Sequence, residues 1–586
     1  LGEGFREGAV AKQGNMAKND PKHRASGGWR DRLEMWRARR KPVATDFESH
    51  PEPRSIGVYA KGKQLVAGQF GQKGGVAQPQ ATIWDVTFAD AEARALSHGF
   101  GWLDDLAAVG GQTAMAKAQG WTFDWIARFG KGRGPGFRPE LVGRRLIRWI
   151  NHAPLLVQGR SPADEGIFLA SLSAQVHFLS RRWSEASAGL NRVEALSALV
   201  IAGLILTGLS ATVAPALSAL AAHLEAEVDM GGGIASRNPE ELLDLFTLLT
   251  WAEQALAEAG RPVPAELLSA MERIAPVLRA LRHADGGLAR FHGGGCGAEG
   301  RLDAALANAG IKPLPSAGMA MGYVRLTGGR TSIVVDAAPP SNRSALAHAS
   351  IGAFELTSGR RPVIVSVGSG APFGDKWKAA GRATAAHSTL GVEDISSSRF
   401  GPRGRGAFVT RADTTALRLF PGETGAGLHL AHNGWAKSHE VTHVRDLMLT
   451  HSGRLLTGTD RLTAAAPMRT RGGGRSKTGK DGLPFTLRFH LHPDVDARLD
   501  MGGAAVSLTL KSGEIWVFRH DGTANLTLDP SIYLEKTRMR ARESLQIVLS
   551  GTARGLDSQL GWTLGKAQDT PLAIRDLERE DPASQI

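Results

Sequence analysis

The sequence predicts an α+β multidomain protein, in which a run of helices is followed by an antiparallel β-sandwich. Apolar residues recur at three- and four-residue steps from about residue 86 to 310, and at two-residue steps from about 318. A length of 586 residues also exceeds what one hydrophobic core holds.

The elements follow in order. Residues 1–85 form a polar extension whose basic run, Trp29 to Arg40, is expected to be a surface helix or a tail with no chemistry of its own. Between 86 and 310, series such as Leu242, Leu243, Phe246, Leu249 and Leu267, Met271, Ile274, Leu278 repeat at helical spacing. Breaks such as Gly260-Arg261-Pro262 separate them. Many amphipathic helices with short connections predict a solenoid or a closed α/α ring. Ala195 to Ala222 lacks Asp, Glu, Lys and Arg, yet Gly203, Gly208, Ser210 and Pro215 interrupt it. It therefore reads as a helix, a turn and a second buried helix, and not as a membrane span.

From 318 to 565, strands are expected at 332–336, 362–367, 408–412, 416–420, 447–450, 486–490, 505–510, 514–519 and 545–549. Lys511-Ser512-Gly513 makes a hairpin turn, and 566–586 is a tail. Strands this numerous without intervening helices predict a sandwich.

Composition narrows the function. Hydrophobic residues at 42% and charged residues at 22% suit a globular chain. A net charge of +13 favours an anionic partner. By charge alone that partner is a nucleic acid, an acidic polysaccharide or an anionic membrane surface, and no nucleic-acid module accompanies it. Cys296 is the single cysteine, which excludes an intrachain disulfide and a cysteine-based metal site. Gly474 to Lys480 imitates a phosphate loop, but Asp481 stands where Ser or Thr would meet Mg²⁺. The first residues lack the apolar core of a secretory signal, which predicts a cytoplasmic location.

An ordered series of motifs is more specific. It begins with Asp336-Ala337-Ala338-Pro339-Pro340, His348, Phe354-Glu355-Leu356 and Arg382-Ala383-Thr384-Ala385-Ala386-His387-Ser388-Thr389. His432-Asn433-Gly434-Trp435, His443-Val444-Arg445, Gly458-Thr459-Asp460 and Asp529-Pro530-Ser531-Ile532-Tyr533 continue it. Upstream stand Gly143-Arg144-Arg145-Leu146 and Ser236-Arg237-Asn238-Pro239. Together, over about 90 to 550, they resemble the heparinase II/III-like polysaccharide lyases, bacterial branch.

The resemblance implies an α/α toroid before the sandwich and β-elimination on a uronate-containing polysaccharide. That chemistry needs a neutraliser for the substrate carboxylate, a base for the C5 proton and an acid for the C4 oxygen. By motif position, Asn191 with His348 and His387 are the catalytic candidates, and Arg192, Arg237 and Arg382 the substrate-binding ones. Of the three tyrosines, Tyr59, Tyr323 and Tyr533, none falls in the toroid, where the family keeps its catalytic tyrosine. A histidine is expected to substitute, with His177 and His283 as alternatives. No cofactor is expected: Ser366 stands where family members with a structural zinc carry an acidic ligand. The family's usual setting implies the periplasm or cell envelope as the alternative location. The alternative function is a glycan-binding protein of the envelope that has lost the chemistry.

Overall fold

The computed structural model describes residues 28–49, 54–69, 82–86, 91–312, 318–401, 406–465, 482–537, 539–554 and 557–567. The phosphate-loop imitation and nearly all of the C-terminal tail lie outside them.

Helices occupy the first half, and the helix Leu190–Ile205 is the hub of that region. It packs against Pro139–Asn151, Pro162–Arg182, Val213–Glu227 and Pro239–Glu258. Its residues from Val193 to Gly203 are all buried, so an element apolar all round is buried all round. Gly203 lets the next helix approach, since a Cβ there would lie 2.4 Å from Thr212 Oγ1. The uncharged stretch is thus two helices joined by a turn, as its interruptions predict. The second, Val213–Glu227, is not buried as expected: only the face of Val213, Ala216, Leu220 and Leu224 is covered, and Ala214, Pro215 and Ser218 are exposed. Among the described residues no helix is long and apolar enough to cross a membrane.

The helical core begins earlier than residue 86. Trp29–Ala38 is a helix whose Met35 and Ala38 are buried in the same cluster as the toroid helices. Trp84, Phe100, Trp102, Trp121, Trp125 and Trp149 form an edge-to-face aromatic group in that cluster.

The second half is two antiparallel sheets. One runs in the order Met319–Ala320, Tyr323–Gly328, Thr331–Asp336, Phe354–Ser358, Arg361–Val365, Leu483–Leu491, Arg540–Ala553, Asn525–Glu535, with Leu390–Val392 also paired to Leu483–Leu491. The other runs Asp496–Asp500, Ala505–Thr509, Ile515–His520, Asp557–Lys566, Leu455–Ala464, Val441–Thr450, Gly425–Trp435, Thr414–Pro421. Leu356, Leu487 and Leu549 from the first sheet and Leu428, Trp516 and Trp562 from the second share one core.

Several strands are longer than their apolar alternation suggests. Leu447 to Thr450 is the end of Val441–Thr450, and Leu545 to Leu549 lies inside Arg540–Ala553. Phe408–Thr410 belongs to neither sheet and pairs only with Arg399–Phe400.

The two halves share a core as well as a chain. Tyr323 and Val334 of the first sheet, and Ala353 just before Phe354–Ser358, are buried in the helical cluster. That joint positions the motif residues.

Candidate functional site

At the joint, Arg237 leaves the toroid in a left-handed conformation, φ 55°, which is costly for a long side chain. The contacts of its guanidinium hold it there. Nη2 donates to Asp336 Oδ1 at 2.5 Å and to Gly322 O at 2.9 Å. Nε and Nη1 reach the carbonyls of Met321, Ala338 and Pro339 at 3.1, 2.7 and 2.9 Å. Gly322 is required here, because a Cβ would sit 2.6 Å from Arg237 Nε. Tyr323 OH donates to Arg237 O at 2.6 Å. Burial alone would raise the Asp336 carboxyl, but Arg237 and His292 overcome it and hold it far below the usual range.

His348 and His387 lie beside this clamp, 1% and 0% exposed. Their rings are 4.9 Å apart. His348 Nε2 accepts from Gly293 N at 3.0 Å, and its own backbone N–H donates to His292 Nδ1 at 3.0 Å. His387 Nδ1 meets Ser366 Oγ at 3.0 Å. Burial, reinforced by neighbouring histidines, drives His348 well below its ordinary pKa and His387 down to about 3. Both are neutral near pH 7 and closed to a polymer. The three positions that the family uses for zinc do converge, but Ser366 supplies only a hydroxyl. His292 turns its Nε2 to Asp336, 3.2 Å away. His348, Ser366 and His387 thus offer two imidazoles and a hydroxyl, with no acidic ligand at the third position, a poor donor set for zinc.

The other candidates divide. Arg237, placed above in the clamp, spends its guanidinium on Asp336 and four backbone carbonyls. Arg382 is 2% exposed, donates to Ala347 O and Gly406 O, each at 2.9 Å, and lies 4.9 Å from the rings of Phe400 and Phe408. Its guanidinium ties a loop down from a buried position. His283 bonds Glu355 at 3.1 Å, and His177 bonds the carbonyl of Pro42 at 2.9 Å. Tyr323 and Tyr533 are buried. Tyr59 is exposed at the start of the helix Tyr59–Val66, which packs on Gly101–Val109.

Asn191 and Arg192 lie elsewhere and are half-exposed, in the first turn of Leu190–Ile205. Asn191 Nδ2 donates to Ser187 Oγ at 2.8 Å, and Arg192 Nη2 to Ala186 O at 2.8 Å. These hydrogen bonds do not reach the histidines. Arg192 instead acts electrostatically on Glu227, part of a group that sequence reasoning missed.

Gly189, φ 85°, precedes that helix. A Cβ added to it would lie 3.4 Å from Glu227 Oε1 and 3.8 Å from Glu241 Oε1, so two carboxylates converge over its backbone. Its N–H donates to His223 Nε2 at 3.2 Å. Glu241 is placed by the Asn238 cap, whose Oδ1 accepts from the N–H groups of Glu240 and Glu241 at 3.0 and 3.3 Å. Carboxylates in a first helical turn ordinarily stay ionised. Here burial raises Glu241, and Asp244 and Glu227 add to the rise against a hydrogen bond from Ser236. Burial raises Glu227 too, against the pull of Arg343 and Arg192. Arg343, exposed on the sandwich loop, faces the toroid's Glu227 electrostatically. The Asn-Pro start could have placed Glu241 at a helix entrance. Nothing in the sequence pairs it with Glu227, fourteen residues upstream on another helix.

Comparison with known proteins fits this architecture. The family model described as heparinase II/III-like, C-terminal, matches residues 311–566. "FtsZ-localized protein C" of Caulobacter vibrioides (strain NA1000 / CB15N) is 30% identical over 550 residues, covering 90% of this chain and 91% of that protein. Heparinase III superposes with a TM-score of 0.66 at 12% identity, covering 92% of this chain and 89% of that one. A mutant of heparan sulfate lyase HepC from Pedobacter heparinus gives 0.57 at 16% identity, covering 92% and 88%. Chondroitin AC lyase of Streptomyces coelicolor A3, in complex with chondroitin sulphate, gives 0.51 at 14% identity, covering 94% and 84%. At such identities the structures speak for the fold alone. A toroid of helices, a two-sheet sandwich and a motif series in register with the matched region all agree: the chain belongs to the heparinase II/III-like family.

Proposed function

We propose that the protein is a polysaccharide lyase whose elimination chemistry is run by the Glu227–Glu241 pair in the toroid, beside Asn191. The observation that carries this is the convergence of two half-buried carboxyl groups over Gly189, where burial favours the protonated form of each. Two such groups at one site do not ionise together easily, so one serves as base while its partner keeps a proton. β-Elimination on a uronate needs that combination. The ionised carboxylate takes the C5 proton, the C4–O bond breaks, and the protonated partner gives its proton to the departing oxygen. Asn191 and Arg192, with Arg343 of the sandwich loop acting on Glu227, are the groups that would hold the substrate carboxylate. The net positive charge and the family's fold support an acidic polymer. His348 and His387 then hold the joint that sets the cleft.

A second reading, glycan binding without chemistry, is favoured by the sealed histidines and by the relative named for its localisation with FtsZ. One experiment separates the two. Ultraviolet absorbance of unsaturated uronate is followed against a panel of acidic polysaccharides, for the wild type and Glu241→Gln. Turnover is expected with one polymer and is expected to fall about 10²–10⁴-fold in the variant, the range for losing a general base. Equal turnover in the variant would remove Glu241 from the mechanism. Retention on a polysaccharide gel with no absorbance would establish the binding reading.

A further inference from the structure

The basic run near the N-terminus holds none of the candidate site residues, yet the structure gives it a definite form. Trp29–Ala38 is a helix, and only one of its faces is used. Met35 and Ala38 pack toward Pro162–Arg182. Both acids of the helix bind that neighbour as well: Asp31 pairs with Arg182 at 2.9 Å and Glu34 with Arg181 at 3.1 Å. Glu34 also takes Arg37 at 2.6 Å.

The opposite face is of another kind. Trp29 and Trp36 are seven residues apart, two helical turns, and half-buried Leu33 falls between them on the same side. Trp29 is 69% and Trp36 53% exposed, the two most exposed tryptophans among the described residues. Arg30, Arg32 and Arg37 flank this stripe, and Arg39, Arg40 and Lys41 follow it, all exposed. The Arg40 guanidinium carbon lies 3.2 Å from the Trp36 ring centroid, which holds the indole outward.

A folded protein gains nothing in water by keeping two indoles and a leucine on an outer face. A lipid interface rewards that pattern: indoles settle at the headgroup level, and arginines meet anionic phosphates. We infer that Trp29–Ala38 is a docking helix that lays the protein on the surface of an anionic bilayer without crossing it. Charge complementarity selects this occupant, because the exposed face carries cations and aromatics while its acids are committed to the protein side. The inference does not depend on the lyase reading.

The test is co-sedimentation of the full chain with vesicles of phosphatidylcholine alone or mixed with phosphatidylglycerol. Binding is expected to the mixed vesicles only and to decline with added salt. The double variant Trp29→Ala, Trp36→Ala should lose it by at least tenfold. Each of Arg30→Gln and Arg32→Gln should weaken it about fivefold, the usual contribution of one basic residue near such a surface. These side chains are exposed, so unchanged thermal melts would show that the fold persists. Equal binding to both vesicle types would overturn the inference. So would retention by the tryptophan variant, or binding to duplex DNA as tight as to the mixed vesicles and untouched by the tryptophan changes, which would mark a general polyanion patch.

Discussion

Replacing Asp336 by Asn is expected to cost about 3–5 kcal/mol of stability, the range for breaking one partner out of a buried ion pair. Asp336 is 1% exposed, and both of its oxygens are engaged, Oδ1 by Arg237 and Oδ2 by Ser350 Oγ at 2.6 Å. Its loss leaves the Arg237 charge in the joint facing only carbonyl dipoles. It also removes the strongest reason for Arg237 to keep φ at 55°. Both effects fall where the toroid meets the sandwich. A urea titration followed by tryptophan fluorescence should show the midpoint drop, and the toroid and sandwich should cease to unfold together. A change under 1 kcal/mol would mean that the joint relaxes and that the clamp is not what couples the two halves.

That clamp also shows which features the sequence carries openly. Periodicity revealed helices first and strands after, because each half buries one face and must repeat at its own period. The hairpin at Lys511-Ser512-Gly513 joins Ala505–Thr509 to Ile515–His520 as its turn residues imply. The motif series located the joint, and Asp336, His348 and His387 do meet there. What motif order cannot say is which residues face water. His348 and His387 hold recognisable positions, but Gly293, Ser366 and His292 close around them, and that enclosure is a property of packing. Arg237 and Arg382 show the same gap: a guanidinium suits a carboxylate ligand and a cluster of backbone carbonyls equally well. The carboxylate pair was hidden for a different reason. Glu227 ends one helix and Glu241 begins another, and only the Val228–Ile234 bridge and the turn at Gly232 bring those ends together.

The buried histidines lead to a steep loss of stability in mild acid. His98, His387 and His490 are 2%, 0% and 3% exposed. Burial, the largest cause in each case, lowers them to about 3, about 3 and about 4. In the unfolded chain a histidine titrates near pH 6.5. From there down to the folded value the unfolded state binds a proton that the folded state refuses, so stability is full above about pH 6.5 and falls as pH drops. Each such group costs about 2 kcal/mol between about pH 7 and pH 5. Three of them cost roughly 6 kcal/mol, comparable to the entire stability of many domains. His348 and His432, also driven well below their ordinary values, act in the same direction. The raised carboxyls of Glu227 and Glu241 oppose the trend by taking up protons in the folded state, but both are half-exposed and work weakly. Asp336 and Asp460, held low by Arg237 and Arg445 despite burial, lose their contribution only in more acid solution. Urea titrations at about pH 7, 6 and 5 should therefore show a midpoint that drops sharply at each step, with His387→Gln flattening the slope by about one proton. A midpoint constant across that range would mean that these histidines reach water in the native state, and the closed joint would have to be abandoned along with the exclusion of His387 from the cleft.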